Sequence, residues 1–181
     1  MAEPTPHGIA PHSPLNDLSL PADARFRLAP AKVRARAVLR GAALAQRLGA
    51  SLGLALPARL SSTVANDRAL LWLGPDEWLL MVGTPDLPAP PAEGEGSVVD
   101  VSHRQIGLVA DGPLAALVLA SGCPLDLRLT AFPVGMVART IFHKAEIVLW
   151  RQTETRFHIE VWRSFAPYVV SQAGEALAAA P

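Results

Sequence analysis

Two nearly continuous apolar runs dominate the chain. Leu70, Leu71, Trp72 and Leu73 make the first, and Trp78, Leu79, Leu80, Met81 and Val82 the second, with Gly74-Pro75-Asp76-Glu77 between them. Turn residues between two strand-like runs predict a β-hairpin over Ala69 to Val82 with a four-residue loop. Neither run alternates with polar residues, so both faces of the hairpin are expected to be covered. Upstream, Lys32 to Arg40 does alternate. Val33, Ala35, Ala37 and Leu39 fall on one face and Lys32, Arg34, Arg36 and Arg40 on the other, with Val38 the exception. Period two with one charged face predicts a half-exposed strand. Gly41 then opens a run rich in Ala and Leu, with Leu44 and Leu48 four apart, which predicts a helix over Ala42 to Ser51.

The remaining pattern is mostly strand. Arg25 to Leu28 reads as a strand, and Arg59 to Val64 leads into the hairpin. Val98 to Val101 and Gln105 to Ala110 read as strands around Ser102-His103-Arg104. Gly112-Pro113 starts a helix that shows Leu114, Leu117 and Val118 on one face and ends before Gly122 and Pro124. Met136 to Phe142, Ala145 to Trp150 and Phe157 to Val161 are further strands, the first two joined by a hairpin turn at His143-Lys144. A last helix is expected from Ser164, as its N-cap, to Ala179.

The order of elements repeats. Ala35 to Leu56 reads strand, Gly, helix, Leu-rich exit, and so does Ile106 to Leu127. From the glycine to the first tryptophan is 31 residues in one copy (Gly41 to Trp72) and 38 in the other (Gly112 to Trp150). The expected fold class is therefore α+β, with duplicated strand-helix-strand halves packed as one domain. The halves run from about 25 to 84 and from 97 to 181, joined by a Pro/Gly-rich loop at 85–96. An extended, proline-bearing arm over residues 1–20 precedes them.

Composition narrows the function. Half of the 181 residues are hydrophobic and the formal net charge is zero, which sets this chain apart from nucleic-acid binders with their basic excess. Cys123 is the only cysteine, so an intrachain disulfide and a cysteine metal cluster are both excluded. The N-terminus lacks the pattern of a signal peptide, and no apolar run reaches membrane-spanning length, which predicts a cytoplasmic protein with no membrane partner. The charges nonetheless segregate. Eight basic residues and no acidic ones lie between Ala24 and Asn66, and six acidic residues and no basic ones between Trp72 and His103. Two readings fit: a basic face offered to an acidic partner, or two segments that neutralise each other within the fold.

The sequence offers no recognisable catalytic or cofactor constellation. Phosphate-binding glycine motifs and HExxH are missing, and His7 with His12 lacks a third ligand. Ser102-His103 suggests a nucleophile and base, but neighbours on a strand point to opposite faces. His158, between Phe157 and Ile159, is expected to face outward or bond locally. No catalytic, cofactor-binding or metal residues are assigned. The candidates for partner contact are Arg34, Arg36, Trp78, Arg104, Trp162 and Arg163, because Trp and Arg are the residues enriched at interface hot spots.

Several stretches also carry a resemblance. Trp72 to Leu80 (WLGPDEWLL), Val98 to Gly112 (VVDVSHRQIGLVADG), Gly122 to Asp126 and Trp162 to Ala166 resemble the gamma subunit of heterotetrameric sarcosine oxidase. The resemblance covers Val33 to Ala178. It implies the duplicated α+β fold of the folate-binding domain of the glycine-cleavage T-protein, whose wider family shares a DVSH stretch like Asp100 to His103. It further implies a non-catalytic subunit that supports assembly, with the alpha subunit as direct partner and the beta and delta subunits in the same complex. FAD, FMN, NAD and tetrahydrofolate would then belong to the partner subunits. The complex would oxidise sarcosine to glycine and pass on the one-carbon unit or release formaldehyde. The rival reading is a small folate-binding protein of one-carbon metabolism, with Arg34 and Arg36 receiving the glutamate tail and Trp78 or Trp150 the pterin. A tRNA-associated protein of the same fold would want a basic excess that the chain lacks.

Overall fold

In the computed structural model, residues 13–83, 87–89 and 96–181 are described. The strands are β1 (Arg27–Pro30), β2 (Ala35–Arg40), β3 (Ser62–Ala65), β4 (Arg68–Gly74), β5 (Glu77–Val82), β6 (Ser97–Asp100), β7 (Gln105–Asp111), β8 (Val137–Phe142), β9 (Ala145–Arg151) and β10 (Arg156–Trp162). The helices are α1 (Ala42–Ser51), α2 (Ala115–Ala120) and α3 (Ala166–Ala178), the last entered through a 3-10 turn at Arg163–Phe165.

The strands form two five-stranded sheets, ordered β3-β4-β5-β2-β6 and β8-β9-β10-β7-β1. Each begins with a strand–helix unit, β2–α1 or β7–α2, and continues as a three-stranded meander that returns to pair with the first strand. This is the repeat seen in the sequence. The outermost strands are exchanged: β1 precedes β2 yet pairs with β7, and β6 precedes β7 yet pairs with β2. Each half therefore completes the sheet of the other.

The side chains of the hairpin show how the layers stack. Along β4 and β5, Leu70, Leu80 and Val82 pack with Ala45 and Leu54 under α1. The alternate residues Leu71, Leu79 and Met81 pack against Val137, Val148 and Trp150 of the second sheet. The far face of the second sheet, with Leu108, Leu149 and Ile159, is covered by α2 and α3 through Val118, Leu119 and Val169. The order of layers is helix, sheet, sheet, helix. Strands with two buried faces must read as continuous apolar runs, as these do. Each fully buried Leu contributes about 1.5–3 kcal/mol.

Several expectations are corrected. The hairpin loop is two residues, Pro75-Asp76, because Gly74 pairs with Glu77 and a bulge between Trp72 and Gly74 takes up the extra residue. The strand expected over Lys32 to Arg40 starts at Ala35 and is not half-exposed: Arg36 is buried on the face that meets the second sheet. The buried face of α2 is Ala115, Val118 and Leu119, while Leu117 is exposed. Ser164 does not cap α3; the 3-10 turn intervenes, Phe165 is the cap residue, and Pro167 sits in the first turn of the helix. In the expected N-terminal arm, residues 13–20 carry Leu15 into the core beneath the second sheet. The arm's residues 1–12, with His7 and His12, lie outside the described residues, as does most of the 85–96 loop.

Candidate functional site

Between the two sheets lies a buried ionic cluster built from two strands, β2 and β10. On β10, Phe157, Ile159 and Val161 face the helices, so His158 and Glu160 face the first sheet. On β2, Ala35, Ala37 and Leu39 face α1, so Arg36 points the other way. Arg36 Nε donates to Glu160 Oε2 at 2.6 Å, and His158 Nε2 lies 2.6 Å from Glu160 Oε1. An ionised carboxylate only accepts, so Nε2 carries the proton of that bond. Arg36 Nη1 also donates to the Arg34 carbonyl at 2.7 Å, and the Trp150 ring lies 5.8 Å from the His158 ring. Burial pushes the Glu160 carboxyl up, but the His158 hydrogen bond and the charges around it outweigh burial and hold it below its ordinary value.

Gly107 makes room for this cluster. It stands opposite Glu160 in the β7–β10 ladder, and a Cβ there would lie 2.8 Å from Ala31 Cβ and 2.9 Å from Arg36 Nη2. The turn that carries the DVSH stretch is clipped to the same place. Ser102 Oγ accepts from the Arg36 backbone N–H at 2.9 Å, and Val101 N–H donates to the Arg36 carbonyl at 2.8 Å. Asp100 accepts from Ser102, which holds its carboxyl below the usual range. Ser102 thus fastens two strands, while His103 is exposed.

One step along β10 the cluster gives way to a surface. Trp162 and Phe165 are 43% and 42% exposed. Arg104, at the end of the Ser102 turn, lays its guanidinium 5.1 Å from the centre of the Trp162 ring, a cation–π contact. Its carbonyl accepts from Arg163 N–H at 2.8 Å, so turn and strand end are held together. Among the described residues no carboxylate reaches Arg104.

The candidate contact residues are thus dispersed. Arg104, Trp162 and Arg163 come together at one edge. Arg34 is mostly buried and donates to Asp67 at 2.8 Å, where Lys32 also pairs at 2.6 Å. The Lys32 hydrogen bond, with the Arg34 charge, holds the Asp67 carboxyl below its usual range. Arg36 is 5% exposed within the cluster, and Trp78 is 3% exposed beneath α1. Arg40 pairs with Glu77 at 2.8 Å, and Glu77 also takes Arg139. The segregated charges follow neither reading as stated: the basic segment is paired within the chain, but mostly with Asp67 and Glu160 outside the acidic segment, while Arg40–Glu77 joins the two segments.

Glu160 was missed by the reading of the sequence. So was Arg151, which is 2% exposed and donates to the Phe132 carbonyl at 2.7 Å and the Leu127 carbonyl at 2.9 Å. Burial pulls its pKa down. The alternation of β10 could have flagged Glu160, since it shares a face with His158, but its partner Arg36 is 124 positions away. His158 bonds locally, as one of the two expectations had it, and is buried. The residues named for a folate do not converge: Arg34 and Arg36 are spent on Asp67 and Glu160, and Trp78 and Trp150 lie in different layers. Among the described residues no group of three or more His, Cys, Asp or Glu could hold a metal ion, and no helix is long and apolar enough to cross a membrane.

Comparison with known proteins gives one consistent result. The profile of the family "Sarcosine oxidase, gamma subunit family" matches residues 36–178. The sarcosine oxidase subunit gamma of Corynebacterium sp. strain U-96 is 36% identical over 131 residues, covering 68% of this chain and 63% of that protein. Its counterpart from Arthrobacter sp. is 35% identical over 119 residues, covering 62% and 59%. The chain thus spans less than two thirds of the length of these curated relatives. Among solved structures, a chain of heterotetrameric sarcosine oxidase from Corynebacterium sp. U-96, in complex with pyrrole 2-carboxylate, matches with a TM-score of 0.77 and 30% identity, over 88% of this chain and 87% of that one. Glycine cleavage system aminomethyltransferase T from Bartonella henselae matches with a TM-score of 0.56 and 15% identity, over 83% and 45%, which is a likeness of fold alone.

Proposed function

Because this chain belongs to the sarcosine oxidase gamma subunit family, we propose that it is the gamma subunit of a heterotetrameric sarcosine oxidase and supports assembly of that complex in the cytoplasm. The observation that carries the reading is the match to a chain of such an oxidase over nearly its whole length. The internal chemistry agrees with it. Arg36, His158 and Glu160 bond one another across the sheet interface, and Ser102 is taken by the backbone of β2. These side chains hold layers together rather than line a reaction site. FAD, FMN, NAD and tetrahydrofolate then act in the partner subunits, the alpha subunit is the direct contact, and this chain contributes surface. The complex oxidises sarcosine to glycine, and its one-carbon unit goes to tetrahydrofolate or leaves as formaldehyde.

The test is a pull-down of the tagged, full-length chain from its native cell, with partners identified by mass. Large flavin-containing subunits in stoichiometric amounts, with sarcosine-dependent peroxide release in the eluate, are the expected result. A chain recovered alone at low and moderate salt would sink the reading.

A further inference from the structure

Resting on that assembly reading, we propose that the edge formed by Arg104, Trp162 and Phe165 is the surface on which the partner subunit docks. The segment it receives is acidic and carries an apolar side chain beside its carboxylate.

Three observations carry this. First, Trp162 and Phe165 expose more than two fifths of their surface within four residues of one another, at the end of a strand whose preceding residues are buried. Large aromatic area fixed at an edge is the kind of anchor that dominates binding energy. Second, the anchor is already ordered. Arg104 covers the Trp162 ring, and the Arg163 N–H to Arg104 carbonyl bond ties the two segments together. Behind them the Ser102 and Val101 bonds to Arg36 fix the turn to β2. A surface ordered before contact loses little entropy on docking. Third, Arg104 is reached by no carboxylate of the described residues, and its guanidinium lies over the Trp162 ring. Arg34, Arg36 and Arg40, by contrast, are paired within the chain. A guanidinium stacked on an indole keeps its N–H edge free for a carboxylate, which it can bind bidentately.

The experiment uses the full chain co-expressed with the flavin-containing subunits. Arg104→Glu and Phe165→Ser are compared with wild type by size-exclusion chromatography and by titration of the reconstituted complex. Both positions are exposed, so the melting curve of each variant is expected to overlay wild type. Arg104→Glu should weaken association at least tenfold and reverse its dependence on salt, because wild-type docking loosens as ionic strength rises and a carboxylate-on-carboxylate contact is relieved by it. Phe165→Ser should weaken association with its salt dependence unchanged. Wild-type affinity in both variants would overturn the proposal while leaving the assembly reading intact. So would loss of docking only in Leu117→Ser, at the exposed face of α2. A wild-type chain that ignores the flavin subunits would overturn the assembly reading itself, and this inference with it.

Discussion

Glu160 is the residue on which the sheet interface turns. It is 1% exposed and neutralises a buried arginine while accepting from a buried histidine. Glu160→Gln leaves Arg36 buried beside an amide. Breaking a buried pair from one side costs about 3–5 kcal/mol, so the urea midpoint should fall accordingly. The same carboxylate links stability to pH. Its folded pKa lies below its unfolded value, so its contribution is fully present above the unfolded pKa and is lost as pH falls through the folded one. Wild type should therefore lose stability on acidification below about pH 4.5, the unperturbed glutamate range, more steeply than Glu160→Gln. Parallel curves for the two proteins would show that the carboxylate is not the linked group. Gly107→Ala tests the same site by volume. Its Cβ meets Ala31 on one side and the Arg36 guanidinium on the other, and overpacking of this kind costs about 1–3 kcal/mol.

At the scale of elements, the exchanged strands are the distinctive feature, and glycines permit them. Gly112 has φ of 119°, and a Cβ there would lie 2.4 Å from the Arg25 carbonyl, where β1 approaches the end of β7. Gly96 has the same φ, and its Cβ would lie 2.2 Å from the Arg40 carbonyl, where β6 approaches the end of β2. Gly112→Ala should cost about 1–3 kcal/mol from backbone strain alone. The damage should be local, with amide exchange accelerating in β1 before it accelerates in β10. Equal acceleration across the second sheet would show that β1 is not a separable element.

For the whole molecule, strand exchange predicts that the halves fold together. The first half without β6 leaves an edge of β2 open, the second without β1 leaves an edge of β7 open, and either alone exposes Leu71, Leu79 and Met81 or Val148 and Trp150. Fragments 13–84 and 97–181 should each be disordered or aggregated by circular dichroism, and recover native signal on mixing. The intact chain should melt in one transition, with calorimetric and van't Hoff enthalpies equal. A fragment with a cooperative melt of its own would refute this.

Local pattern determined much of this protein. Composition and period placed α1 at Ala42–Ser51, and the unbroken apolar runs of Leu70 to Val82 declared a hairpin with two covered faces, because burial on both sides is written in each residue's own polarity. The repeat of strand, glycine and helix disclosed the duplication, and the quoted motifs disclosed the family. What only the tertiary structure decided is which distant residues meet. Arg36 read as solvent-facing because alternation reports a residue's polarity and not the layer that covers it. A carboxylate from β10 made its burial tolerable. Arg104 and Trp162 were each legible as contact residues, but their union into one edge came from the β7–β10 ladder. The exchange of β1 and β6 left no mark in either strand's sequence, because a backbone ladder can form with either neighbour and packing of the two halves selects between them.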